Sequence, residues 1–490
     1  MDSIQQEFNM LSVNTRDITT LPIYRYIKAI IIITRPTILD ALARVETVDG
    51  IVNVILRKCN MIEMKKYGDR YSLHMKRTQA VTRPNANLVC ELDFTQLNGL
   101  IFDIHGNVLV VPLRGFRSYT LQRDVHPHAL KSINVADYVI HKAVDGTIIT
   151  FYHDPDATSD WHISTIRGIV MEYKSLYGRE RLINVVNTVY RSILEKNNVY
   201  DVEIPSASIT DSLDPNYCYT FQLSHPEWNP GVAERDINLV FIQSVNVTEL
   251  DSENCVSVSR SSLPYPLNRV ISEPVTVAVP ASVKTLSQFV YECVTDDDMY
   301  GINTTNISGY IFRYQQAWTS TAIRSFNIND MFFENKRAKI LRHYIYSQVY
   351  MCRNIRELAT KYYISLLGHQ EQRDLCLACQ QFSLYFQHCE YYMGILLELI
   401  YALYSSNDGN PTDIQIKSIV ARFADTYNTP IRIISVFVVA ANFFIVNVIK
   451  NNVAAIRNNK SIVKDLIMEQ KHLPIYIKLF EDAPLLPSYH

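Results

Sequence analysis

The side chains best equipped for chemistry cluster late in the chain, where Cys376-Leu-Ala-Cys379 is followed by His388-Cys389. Thiolates and imidazoles at such short spacing suit zinc, but a zinc site holds four ligands tetrahedrally, usually from tight turns. This stretch reads instead as helix, where positions i and i+3 share an apolar face. Cysteine in that setting acts as a small buried hydrophobe. The run Asp296-Asp297-Asp298 has carboxylates enough for a two-metal site, yet within YECVTDDDMYG it reads as an exposed turn. His153 and His162 have no partner at catalytic spacing. HExxH, GxSxG, EF-hand, GxxxxGK[ST] and GxGxxG patterns do not occur, which excludes P-loop and Rossmann enzymes and the commonest hydrolase and calcium-loop motifs.

The elements that must position any site come from a chain of 490 residues and 56.5 kDa, room for two or three domains. It is 48% hydrophobic and 20% charged, a globular composition. Lys+Arg number 47 against Asp+Glu 49, so nucleic-acid binding would have to rest on a local patch. Glycine, at 14 residues, is roughly half its usual share of about 7%. The 9 cysteines are scattered, and MDSIQQEFNM is not a secretory leader. Together they predict free thiols in a reducing, cytoplasmic setting. Ile433–Ile449 is uncharged but short for a spanning helix, and Ser435, Asn442 and Asn447 interrupt it. It is expected to be a core helix, so no membrane span is expected.

Three textures succeed one another. Residues 1–80 form an N-terminal extension with helical patterns and a basic stretch, Arg57 to Arg77, that reads as a solvated face or a nucleic-acid surface. Residues 81–330 are strand-rich. LIFDI and VLVVP flank His105-Gly106-Asn107 as a hairpin, and DYVIHKA and TIITFYH flank Val144-Asp145-Gly146 as a second. CYTFQLSHP, INLVFIQSV and SGYIFRY are further strands, and RLINVVNTVYRSILEKN is an amphipathic helix. Residues 331–490 read as helical almost throughout, with a separable junction near 331–336. The fold class is therefore α+β with an all-helical C-terminal domain.

Within the middle block, short patterns follow in a fixed order. Asn98-Gly99-Leu100-Ile101-Phe102-Asp103 leads to Val110-Val111-Pro112-Leu113-Arg114-Gly115-Phe116, with Arg117 next. Asp137-Tyr138 opens a strand ending in His141-Lys142-Ala143-Val144-Asp145-Gly146-Thr147, and Trp161-His162-Ile163-Ser164-Thr165-Ile166-Arg167-Gly168 follows. Then come Phe221-Gln222-Leu223-Ser224-His225-Pro226 with Asn229, Ser308-Gly309-Tyr310-Ile311, and Ala322-Ile323-Arg324-Ser325. In content and order these resemble the nucleotidyltransferase domain of the phage-type, tRNA-repair class of ATP-dependent RNA ligases, a domain that a helical one follows. The resemblance implies a ligase-like nucleotidyltransferase fold over roughly 90–330.

The family's chemistry is the attack of a lysine on the α-phosphate of ATP, with Mg²⁺, to give a lysyl-AMP adduct. Its motif places that lysine two residues before an aspartate-glycine pair, and here Ala143 holds that position. Lys142 lies one residue earlier, and on a strand a slip of one residue turns a side chain to the other face. A bulge would return it. The family's leading arginine corresponds to Asn98 and a lysine to Gly115. Its two acidic residues correspond to Gln222 and Ser308, and the lysines of its last motif to Ala322 and Arg324. Hard divalent cations require carboxylate oxygen, and a developing pyrophosphate requires cations, each commonly worth about 10²–10³ in rate.

The resemblance therefore implies a catalytically degenerate relative, needing no cofactor and retained as a binding or structural component. In phages and large DNA viruses, where such genes occur, that means a particle or RNA-handling assembly in the host cytoplasm or virion. Its partners would be other proteins, met through the helical domain, and RNA held weakly by Arg114, Arg117, Arg167 and Arg324. The alternative is an active ATP-dependent RNA ligase using Lys142, ATP and Mg²⁺.

Overall fold

The structure, a computed structural model, describes residues 17–30, 37–59, 61–76, 96–113, 115–121, 133–154, 161–166, 168–169, 181–197, 208–226, 229, 232, 236–250, 256–300, 307–314, 330–341, 344, 352, 355–365, 369–406, 411–449, 463–464, 467–468 and 472–483. It is mixed helix and sheet, and divides into two compact units, 1–336 and 337–490.

The first unit begins with helices α1 (Pro22–Ala29), α2 (Thr37–Leu42) and α3 (Val48–Lys58). Strands β1 (Ile62–Tyr67), β2 (Arg70–Met75), β3 (Ile101–Asp103), β4 (Val108–Val110) and β5 (Arg117–Thr120) follow. Next come β6 (Tyr138–Val144), β7 (Thr147–His153), β8 (Trp161–Thr165), β9 (Gly168–Ile169) and helix α4 (Leu182–Lys196). Strands β10 (Tyr217–Ser224), β11 (Asn238–Asn246) and β12 (Val256–Ser257) precede the short helices α5 (Leu267–Val270), α6 (Leu286–Cys293) and α7 (Asp296–Tyr300). The unit closes with β13 (Ile307–Tyr314) and β14 (Met331–Glu334), and α8 (Lys336–Ile340) starts at the boundary.

These strands make three sheets, in the orders β1-β2-β3-β4, β12-β11-β10-β7-β8-β9 and β5-β14-β13-β6. The first corrects the expected boundary at 80, because β1 and β2 share a sheet with β3 and β4. Arg70, Tyr71 and Ser72 pair with Asp103, Phe102 and Ile101. Ile23, Ile27, Ile51 and Ile55 of the N-terminal helices pack into one core with Leu73, Ile101 and Phe102. The β3–β4 turn is fixed by Asp103, whose Oδ1 accepts the His105 and Asn107 amides at 2.8 and 2.9 Å. Gly106 sits there at φ +85°, where an added Cβ would come within 3.0 Å of Leu21.

The expected pairing of 138–144 with 147–153 is also corrected. β6 pairs with β13, whereas β7 pairs with β10 and β8. The Asp145-Gly146 turn thus carries the chain from one sheet to another. On the six-stranded sheet, Ile149, Phe151, Phe221, Leu223 and Phe241 alternate onto one face and pack against Val185, Val186 and Val189 of α4, as period-2 strands and a 3.6-period helix require. The opposite face keeps a buried polar pair, Thr150 and Thr220, whose hydroxyls lie 3.1 Å apart.

The second unit holds α9 (Ile355–Ile364), α10 (His369–Ala378), α11 (Gln380–Ser405), α12 (Asp413–Thr426), α13 (Ile431–Phe444) and α14 (Leu473–Asp482). Helix begins later than 331, because Met331–Glu334 is a strand of the first unit. The segment read as one helix breaks at Cys379, which caps α11 in extended conformation. Tyr392 of α11 meets Phe437 of α13 with ring centroids 5.5 Å apart, and Phe444 stacks on Tyr476 of α14 at 5.7 Å. The helix over Ile431–Ile449 has 19 residues and a mean hydropathy of 2.2, and it is 50% buried within its unit. Ile434, Phe437, Ala441 and Phe444 face the core, while Val436, Val439, Phe443 and Val446 are exposed.

Candidate functional site

The positions that the sequence singles out meet where β6 ends, at the turn between two sheets. β6 lies between β13 on one edge and residues 275–277 on the other, where the Lys142 amide donates to the Val275 carbonyl at 2.9 Å and the Val277 amide to that of Ile140 at 2.8 Å. Alternation along the strand settles which way each side chain points. Tyr138 and Ile140 pack with Phe289, Tyr310 and Phe312, and Lys142 continues that face. Ala143 is buried on the other face.

Lys142 stands opposite Tyr310 in register, and its Nζ lies 3.9 Å from Oδ1 of Asp298. Burial first, and then the hydrogen bond to Asp298, push the Tyr310 phenol well above its ordinary range. Asp298 also closes the first turn of α7, since Thr295 Oγ1 donates to its carboxylate at 2.9 Å and takes its amide at 3.1 Å. The carboxylate run is therefore a capped short helix and not an exposed turn, and the Thr295-x-x-Asp298 spacing was the readable signal for it. Lys142 thus meets a carboxylate on this face, while Ala143 lies on the other.

Ala143 has different company. Across the strand pair, Ile307 matches Val144 and Gly309 matches Ala143, so Ser308 is the extra residue of a bulge beside them. The Ser308 carbonyl accepts the Asn335 amide at 2.9 Å, and the Asn335 side chain donates to the Ile307 carbonyl at 2.6 Å. From the other sheet, the Gln222 amide donates to the Val144 carbonyl, and Ser224 Oγ donates to the Asp145 carbonyl at 2.6 Å. Asn229 reaches Thr147 Oγ1 at 3.1 Å. Gly146 is packed so closely that a Cβ would stand 2.6 Å from Gln222 Cγ.

Ala143, Gln222 and Ser308 thus converge on one turn and contribute a methyl, an amide and a hydroxyl. Asp145, buried at the same turn, supplies a carboxylate. Mg²⁺ takes oxygen ligands and relies on carboxylates. With Gln222 spent on a backbone carbonyl and no acid at 308, these residues do not fit a catalytic Mg²⁺.

The other expected positions scatter. Asn98 Oδ1 accepts the Met75 amide at 3.0 Å, which ties it to the end of β2. Gly99, at φ +98°, packs against Ile166 of the β8–β9 turn. Gly115 precedes β5, which lies at the edge of its sheet remote from β6. The Arg117 backbone pairs with Met331, and its side chain lies outside the described residues. Arg114, Arg167, Ala322 and Arg324 also lie outside them. β13 pairs with β14 (Met331–Glu334) on one side and with β6 on the other.

In the helical unit, Cys389 is buried 3.8 Å from Thr360 Oγ1, and burial pushes its thiol up to about 12. His388 Nε2 lies 2.7 Å from Arg356 Nη2 and 3.0 Å from the Phe480 carbonyl. Burial, with the guanidinium adding to it, holds the ring down at about 4. Among the described residues no cluster of His, Cys, Asp and Glu has the makings of a metal site.

No protein-family model matches the sequence, and no curated protein matches it significantly. Among solved structures the chain is similar to a putative ATP-dependent DNA ligase from Aquifex aeolicus, with TM-score 0.34 and 9% identity over 77% of this chain and 88% of the ligase. It is also similar to an archaeal ATP-dependent RNA ligase, with TM-score 0.33 and 7% identity over 80% of this chain and 90% of that one.

Proposed function

We propose that the strand-rich unit is a ligase-like nucleotidyltransferase that has lost its chemistry and serves as a binding or structural component. The observation that carries this reading is the meeting of Ala143, Gln222 and Ser308 at the Asp145-Gly146 turn, with Lys142 on the opposite face beside Asp298. A nucleotidyl transfer site needs an amine aimed at the phosphate from the motif position and cations from its motifs around the leaving pyrophosphate. The described residues at this turn supply neither. Protein contact through the helical unit fits the exposed apolar row Val436, Val439, Phe443 and Val446, since such a contiguous patch marks an interaction surface.

The test is direct. Purified protein incubated with α-labelled ATP and Mg²⁺, then denatured, should carry no acid-stable label. A stoichiometric label that disappears in Lys142→Ala would overturn the proposal and favour the alternative of an active ligase working through Lys142.

A further inference from the structure

A cavity of about 630 Å³ opens beside the ends of β10 and β11; Val144 and Ser224, next to the Asp145-Gly146 turn, line part of it, and its charged groups come from outside the motif positions. Its wall carries Lys196 from the end of α4, Arg260, and Arg269 from α5, with Asp236 as acidic lining and Asn238 and Ser272 as neutral polar groups. Protein contacts pre-orient both arginines. Arg260 Nη1 donates to the Ile271 carbonyl at 3.1 Å, and the Arg269 guanidinium lies over the Tyr265 ring, 5.3 Å from its centroid. Glu273, the nearby carboxylate, is engaged by the Arg260 backbone amide. A guanidinium has five donors in a fixed fork, so one bond to a carbonyl leaves it able to meet an anion in bidentate fashion. The volume lies within the range of small-ligand sites.

We propose that this cavity binds a phosphate group, supplied by a nucleotide-sized molecule or by an RNA backbone. The basic lining outweighs Asp236, and Asn238 Nδ2, which donates to Ser272 Oγ at 3.4 Å, leaves that hydroxyl to donate to a phosphate oxygen. Phosphate is the anion whose several oxygens use such a set together. The inference does not depend on the loss of ligase chemistry, because none of these cations belongs to the nucleotidyl transfer motifs.

Calorimetric titration of the full chain at about 50 mM salt, where phosphate contacts are least screened, tests it with pyrophosphate, metal-free ATP and a short oligouridine. At least one should bind. Arg269→Gln or Lys196→Gln should weaken that binding about tenfold each, the usual scale for a charge-assisted hydrogen bond, and Asp236→Asn should tighten it. Lys196 and Arg269 are exposed, so both variants should keep the parent's melting curve. An effect on pyrophosphate and ATP identifies a nucleotide-sized ligand, and an effect on oligouridine alone identifies RNA. Absence of binding by all three, or binding indifferent to both substitutions, overturns the proposal. The readout is non-covalent, so it separates from the covalent labelling that tests the degenerate-ligase reading.

Discussion

The Gln222 amide donates to the Val144 carbonyl immediately before the Asp145-Gly146 turn, and a carboxylate in its place would have no proton to give. Gln222→Glu would therefore set a charged oxygen against a carbonyl oxygen and leave that carbonyl without its donor, at a cost of about 1–3 kcal/mol. Lys142→Ala removes a contact of 3.9 Å from a side chain that is 36% exposed, and a solvated pair of this kind is worth about 0–1 kcal/mol. The two variants should separate cleanly in denaturant or thermal melts, with Gln222→Glu clearly less stable and Lys142→Ala close to the parent. The reverse order would mean that the ion pair, and not the amide clasp, holds the two sheets at this turn.

At the scale of elements, β13 and β14 approach closely at Gly309. Gly309 has φ +145°, and a Cβ built there would fall 1.9 Å from the Phe333 carbonyl oxygen. That oxygen belongs to backbone, so neither strand can yield without breaking register. Gly309→Ala should cost at least about 2–3 kcal/mol from strained backbone and overpacking together, and a melting point near the parent's would show that the strands part freely. Much of this architecture was legible beforehand, because α4, β10, β11 and β13 carry clear apolar periodicity. The β6–β7 misreading had a physical cause. Val144-Asp145-Gly146 has the same turn chemistry whether the flanking strands pair with each other or part, and the choice is made by Gln222 and Ser224, distant in sequence. β1 was hidden by Lys65 and Lys66 and β2 by its polar Arg70, Ser72 and His74, although Gly68-Asp69 offered a turn between them. β14 was missed because its few residues run straight into helix-forming NKRAK. At the site, the loss of charge was readable residue by residue, whereas the role of Asp298 depended on a contact that no local spacing announces.

For the whole molecule, the placement of β14 decides where the chain can be divided. Met331–Glu334 lies inside the β5-β14-β13-β6 sheet, antiparallel to β13 and parallel to β5. Just ahead of it, Asp330 is buried and paired with Arg313 at 2.9 Å, and it accepts the Tyr314 amide at 2.9 Å. Just behind it, Asn335 holds the Ile307 carbonyl. A fragment ending at residue 330 would remove an interior strand, expose Phe312 and Tyr310 to solvent and leave two strand edges unpaired, the condition that invites aggregation. A fragment ending at residue 341 keeps the strand and the turn that follows it. The longer fragment should be soluble, with a cooperative melt and resistance to protease within β6, β13 and β14, whereas the shorter one should aggregate or melt without cooperativity. Equal behaviour of the two would mean that β14 adds nothing to the first unit, and the division between the units would then belong before residue 331 rather than after residue 336.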